Sequence, residues 1–171
     1  LWIPASLSPR TAAEFVAYAR ARPGALNYST GGAGSSNHID MELFRTTTGL
    51  DIVHVPYNGP AAGITAVGSG EAQAMIVSVT TARGLAQAGK VRALAVTTVK
   101  PSEFFPRLPT MHSILPDFVI DEWFAMYFPA GTRMEIVAAV NGALRNALET
   151  KFVRTFLAEE VLTAVGSTPE D

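Results

Sequence analysis

No cysteine occurs in the sequence, which excludes disulfides, thiol catalysis and thiolate metal ligation without assigning a compartment. Charge is also sparse. Asp, Glu, Lys and Arg together make 16% of the 171 residues, and the net charge is −2. The cations Arg10, Arg20, Arg22, Lys90, Arg92, Lys100 and Arg107 are scattered rather than striped, so no nucleic-acid partner is expected. No apolar run approaches the roughly 20 residues of a membrane span, and the positive and apolar regions of a signal peptide are missing. His38, His54 and His112 are far apart and lack an H-E-x-x-H or equivalent spacing, so no metal and no cofactor are expected. The serines near glycine, in residues 33–37 and 67–71, both miss the G-x-S-x-G pattern of a nucleophile elbow, and nucleophilic catalysis has no support.

The 48% apolar content is enough for one sizeable core. Residues 26–44, LNYSTGGAGSSNHIDMELF, organise the chain around a strand, a glycine-rich turn and a helix. Gly31, Gly32 and Gly34 permit backbone angles closed to other residues. Ser35 or Ser36 can cap the helix, and Ile39, Leu43 and Phe44 are expected near one face of it. Such a turn aims helix-terminal N–H groups at one point, where an anion would also meet the hydroxyls of Thr30, Ser35 and Ser36. The same stretch also reads as a tight strand-to-helix connection and nothing more. A dinucleotide fingerprint would need a third glycine where Asn37 stands, and a phosphate loop would need Gly-Lys-Ser/Thr. A carboxylate therefore suits the loop better than a nucleotide.

Along the chain, Leu1, Trp2 and Ile3 open a strand, and Thr11 with Glu14 has the capping-box spacing of a helix ended by Pro23-Gly24. After the glycine turn and its helix come a short strand at 52–55, a loop at 56–60 and a short helix at 61–67. Residues 74–77 read as a strand buried on both faces, Thr80 as the cap of the next helix, and 91–96 as another buried strand. Alternation of strands and helices makes the fold class α/β with a mostly parallel sheet flanked by helices. Four prolines between 101 and 116 leave one short helix at 111–115. The aromatic run 120–128 is expected as a strand, followed by a helix capped by Thr132 with Glu135, striped by Val137, Val140, Leu144 and Leu148, and by a short helix at 151–160. The closing Ser167-Thr168-Pro169-Glu170-Asp171 reads as the start of a further helix, and with the missing initiator Met it leads us to expect a fragment of a longer protein.

Ligands of open parallel sheets sit beyond the carboxyl ends of the strands, which draws attention to residues 30–38, 56–60 and 78–80. His38 could donate to a ligand, although its position equally suits a surface residue. His54 reads as a packed strand residue, and His112 lies among prolines. Asp121 and Glu122 would point to opposite faces of a strand and make poor acid-base partners. Trp123, Phe124, Tyr127 and Phe128 could stack on a ligand but suit a core or interface as well.

In order and spacing, LNYSTGGAGSSNHIDMELF, DIVHVPYNGPAAGITAV, GKVRALAVTT, LPTMHSILP and WFAMYFPAGT resemble the Bug-type, TctC-like solute-binding receptors of tripartite tricarboxylate transporters. The resemblance implies a periplasmic receptor, not an enzyme, with a type II periplasmic-binding-protein fold. Such a receptor closes two lobes on a small carboxylate or related organic solute and delivers it to membrane permease subunits. The family's first-lobe P-F-x-x-G-G-x-x-D loop has no match here. The resemblance therefore implies a second ligand-binding lobe at 1–122 and a return strand and helices at 123–171, with half the cleft missing. Position by position it implies ligand contacts at Thr30, Gly31, Gly32, Gly34, Ser35, Ser36, Asn37 and His38, with Asn37 replacing a common proline. It adds Tyr57 and Gly59 in the HVPY loop, and Ser78. Where many relatives carry Asp-Asn, this chain has Val77-Ser78, which favours a plain carboxylate or an amide over an amine-bearing solute. The alternative is a sensory or scaffold module that uses the same lobe to contact a protein. Aromatic surface around 123–128 predicts self-association of the chain alone.

Overall fold

The computed structural model describes the chain apart from Glu103, Phe104, Asp117, Asp121, Glu122, Glu160, Val161 and Asp171, so the Asp121–Glu122 pair lies outside the described residues. The chain divides into two compact units, Leu1–Asp121 and Glu122–Asp171.

The first unit contains β1 (Trp2–Pro4), α1 (Ala12–Arg20), β2 (Asn27–Thr30), α2 (Ser36–Thr48), β3 (Val53–Pro56), α3 (Pro60–Ser69), α4 (Val79–Gln87), β4 (Val91–Ala93) and a 3-10 turn at Met111–Ser113. β2 and β3 pair in parallel, and β1 pairs antiparallel with β4. Residues 73–75 join the two pairs. Gln73 N donates to Asn27 O (2.7 Å) and Ser29 N to Ala74 O (3.0 Å), while Trp2 and Met75 exchange N–H···O bonds of 2.8 and 3.0 Å. Tyr28 and Ala74 bridge in parallel and Trp2 and Met75 antiparallel, so β1 runs against both its neighbours in an otherwise parallel arrangement.

Alternation across this sheet separates two cores. Ile3, Tyr28, Ala74 and Ile76 face Phe15 and Ala19 of α1 and Met41 and Phe44 of α2. Trp2 and Met75 face the opposite way, against Ile64 and Val67 of α3 and Ala82 of α4. The first unit is thus a sheet between two helical layers. Phe44 stacks on Phe15 at 6.4 Å and meets Phe118 edge-on at 6.0 Å, which seals the α1–α2 side. Arg92 donates to the carbonyls of Ala5, Leu7 and Pro9 and so fixes the loop leaving β1.

Several local expectations are corrected. The buried stripe of α2 is Asn37, Met41, Phe44 and Thr48, spaced by three or four, whereas Ile39 is 64% exposed and Leu43 also faces outward. Two residues past Asn37 and Met41, those side chains point about 200° around the helix from the buried stripe. α4 is capped at Ser78 and not Thr80, because Ser78 is still extended (ψ 150°) and its carbonyl already accepts from Ala82 N. In the second unit α5 (Met134–Glu149) starts after Arg133. Thr132 does not cap it, because its hydroxyl donates to Pro129 O at 2.8 Å and closes the preceding turn. α6 (Lys151–Glu159) follows, and Asn141 Nδ2 holds Ser167 O at 3.0 Å. The aromatic segment 123–128 is not a strand: no ladder partner is present for it among the described residues, and Trp123 (68%), Phe124 (79%) and Tyr127 (76%) are exposed.

Candidate functional site

The glycine turn leaves the carboxyl end of β2 and enters α2 within five residues. Two of its glycines take positive φ, Gly32 at 130° and Gly34 at 78°, which a side chain would strain. Gly31 is required for a different reason: a Cβ there would lie 2.9 Å from the backbone nitrogen of Pro60. That close approach lets Gly59 N donate to Gly31 O and Tyr57 N to Thr30 O, both at 3.1 Å, so the 56–60 loop is zipped to the glycine turn.

Ser35 caps α2, accepting from His38 N at 3.3 Å while its hydroxyl donates to Gly32 O at 2.8 Å. Ser36 and Asn37 occupy the first two helical positions, where backbone N–H groups have no acceptor within the helix. Two loop donors are already engaged, Gly32 N by Thr30 Oγ1 at 3.2 Å and Gly34 N by His38 Nδ1 at 3.0 Å. A ligand anion would therefore be met by the opening turn of α2 and the exposed Ser36, with Gly32 and Gly34 shaping the approach.

The remaining predicted positions divide. Thr30, Ser35, Ser36 and His38 gather at the turn. Asn37 is buried and donates its side-chain amide to Ile76 O at 3.0 Å, so it anchors α2 to the sheet. Tyr57 joins the turn through its backbone only; its hydroxyl lies 3.3 Å from Glu71 Oε2, and burial with the Glu71 charge raises its pKa. Gly59 (φ 94°) precedes Pro60 at the start of α3. Ser78 shares its hydroxyl with those of Thr80 (3.2 Å) and Thr81 (2.8 Å).

Behind the turn stands a cluster that the sequence reading missed. Tyr28 and His54 are register partners on β2 and β3, and their rings stack at 5.0 Å; His54 in turn stacks on His38 at 4.1 Å. His54 Nε2 lies 2.7 Å from Thr30 Oγ1. Tyr28 donates its hydroxyl to Glu42, which also binds Arg45 at 2.7 Å. Hydrogen bonds from Arg45 and then Tyr28 lower the Glu42 pKa to about 2, while burial and the Glu42 bond raise that of Tyr28. Burial, with His38 beside it, lowers the His54 pKa against the opposing pull of Glu42. The available signal was the i, i+4, i+7 spacing of His38, Glu42 and Arg45 on one helix. Among the described residues no three His, Cys, Asp or Glu side chains come together as a metal site, and no helix is long and apolar enough to cross a membrane.

The helix-flanked, mostly parallel sheet with its glycine turn at the strand ends is a mixed α/β fold of the periplasmic-binding-protein type. The chain belongs to the TctC family, the tripartite tricarboxylate transporter family receptors, whose pattern it matches over residues 1–169. Protein BugT of Bordetella pertussis is 33% identical over 156 residues, 91% of this chain and 48% of BugT. The UPF0065 protein in the clcB-clcD intergenic region of Pseudomonas knackmussii is 32% identical, over 81% of this chain and 83% of that protein. Among solved structures, R. palustris Rpa4515 with adipate superposes with a TM-score of 0.90 at 33% identity, covering 99% of this chain and 57% of that one. MatC (Rpa3494) from Rhodopseudomonas palustris with bound malate gives 0.84 at 27% identity, with the same coverage of 99% and 57%. The chain spans about half the length of most curated relatives it matches.

Proposed function

We propose that residues 1–122 are the second ligand-binding lobe, and 123–171 the return segment, of a periplasmic receptor that captures a small carboxylate for a tripartite tricarboxylate transporter. The observation that carries this reading is the glycine turn opening α2, with Ser35 as cap and the first helical N–H groups beyond it. Such an opening holds a carboxylate by oriented N–H groups, a hydroxyl and the positive helix end, without a cationic side chain. Adipate in Rpa4515 and malate in MatC support a dicarboxylate as the solute class. The first lobe of the intact receptor would close over the other side of the ligand, and permease subunits in the membrane would receive it. The role is capture and delivery rather than turnover.

Replacing Gly34 by Phe tests the site. A Cβ at this position would meet no atom within 4 Å, so the added bulk is accommodated by solvent, and the positive φ costs about 1–2 kcal/mol of stability. In the intact receptor this variant, and Ser35→Phe, are expected to weaken adipate and malate binding at least about tenfold by titration calorimetry, with the circular-dichroism spectrum kept. Unchanged affinity for both acids would remove the turn from the binding site.

A further inference from the structure

Resting on the reading of the 30–36 turn as the ligand site, we infer that the stacked imidazoles of His38 and His54 are positioning residues forming a pH-sensitive latch. The latch holds the turn set for ligand while His38 is neutral and releases it on protonation.

The proton on His38 decides whether Gly34 is held. Its Nδ1 accepts the Gly34 N–H at 3.0 Å, so that nitrogen carries a lone pair and the ring proton sits on Nε2. Protonating the ring places a hydrogen on Nδ1, facing the Gly34 hydrogen, and the bond is lost. Gly34 is the glycine at φ 78° immediately before the Ser35 cap, so a change there is passed to the start of α2. His54 secures the other end of the turn, 2.7 Å from the hydroxyl of Thr30, which also accepts from Gly32 N. One stack thus grips the turn at Thr30 and at Gly34.

Stacking also couples the two rings. At 4.1 Å and 13° between planes, a charge on one imidazole opposes a charge on the other. From β2 come Tyr28 and Thr30, which carry no charge at neutral pH. From α2 comes Glu42, already bound to Arg45 and Tyr28. Burial lowers the pKa of His54, against the opposing pull of Glu42. A proton on His38 Nδ1 is the one that breaks the hold on Gly34.

The test uses the intact, isotope-labelled protein between about pH 8 and pH 5, the span of ordinary imidazole titration. Wild type should show His38 as the Nε2–H tautomer at high pH, with the Gly34 amide shift moving as the ring titrates. His38→Asn supplies a non-titrating acceptor at the same place and should make Gly34 insensitive to pH. His54→Gln keeps a partner for Thr30, removes the competing ring, and should raise the midpoint of the Gly34 transition. A Gly34 amide that ignores pH in wild type, or titrates equally in His38→Asn, overturns the latch; an unmoved midpoint in His54→Gln overturns the pairing. Adipate and malate affinities are then measured across the same range as a ratio to His38→Asn, in which protonation of the acids themselves cancels. The ratio should fall at least threefold towards acid pH, and a constant ratio over a titrating amide contradicts the link to ligand. Failure of either acid to bind at any pH, with Gly34 still titrating, would count against the receptor reading and leave the hold of His38 on the turn in place.

Discussion

Tyr28 and Glu42 join β2 to α2 by one hydrogen bond beneath the histidine stack, and Arg45 completes the carboxylate's partners. Glu42 titrates near 2 in the folded protein against an ordinary value of 4.5, so its contribution is present above 4.5 and is lost as pH falls towards 2. The side chain is 34% exposed, and solvent screening keeps the loss in Glu42→Gln to about 1 kcal/mol in urea unfolding at neutral pH. The deficit relative to wild type should shrink in acid; a deficit independent of pH would show that the carboxylate charge is not what matters. Gly31 gives a second residue-scale outcome. Gly31→Ala pushes a methyl group against the Pro60 backbone and should cost about 1–3 kcal/mol, since neither segment can withdraw without breaking the Gly59–Gly31 and Tyr57–Thr30 bonds. Gly31, Gly32 and Gly34 were legible as special positions because glycine in a strand-to-helix turn has few other uses. His54 was not, because its role depends on the β2–β3 register that sets it beside Tyr28, and no local pattern carries that pairing.

Among the elements, α2 separates what periodicity can and cannot give. Its start at Ser35 and stop at Gly49 (φ 64°) follow from cap chemistry visible in the sequence. Its buried face did not, because polar Asn37 and Thr48 belong to the stripe and apolar Ile39 does not. Phe44→Ala should therefore cost about 3–5 kcal/mol, since it empties the space between Phe15 and Phe118, while Ile39→Ala should stay within about 0.5 kcal/mol in the isolated chain. Equal losses from the two changes would reverse the assignment of the face. Capping motifs were similarly uneven. Thr11 accepts from Glu14 N as expected, with Glu14 reaching back to Arg10 N, whereas Thr132 has the same spacing to Glu135 but turns its hydroxyl to Pro129. The proline two residues before Gly131 offers a competing acceptor that the spacing rule does not include.

At the scale of the molecule, the α/β class and the helix-flanked sheet were legible in the alternating apolar runs and glycine turns of residues 1–98, and the family in the motifs it resembles; the run 74–77, expected as a strand, instead makes isolated bridges at Ala74 and Met75, because only those two residues meet a partner in register. The antiparallel β1 was not legible, since a three-residue strand carries no direction in its sequence. The aromatic run 123–128 was misread as a strand because composition alone fits one, and a strand also requires a neighbouring edge to pair with. Its exposed Trp123, Phe124 and Tyr127 predict that the 18.1 kDa chain expressed alone self-associates, giving a mass above the monomer by light scattering at high concentration; a clean monomer would contradict it. The turn opening α2 is proposed as half of a carboxylate site. It is tested most directly by thermal unfolding of the intact receptor and of this chain, each with adipate, malate and their amides. A ligand that binds the folded state alone raises the melting temperature by mass action, by several degrees at about a hundredfold excess over Kd. An acid is expected to stabilise the intact receptor and to leave this chain unmoved, and absence of any shift in the intact receptor would overturn the proposed site.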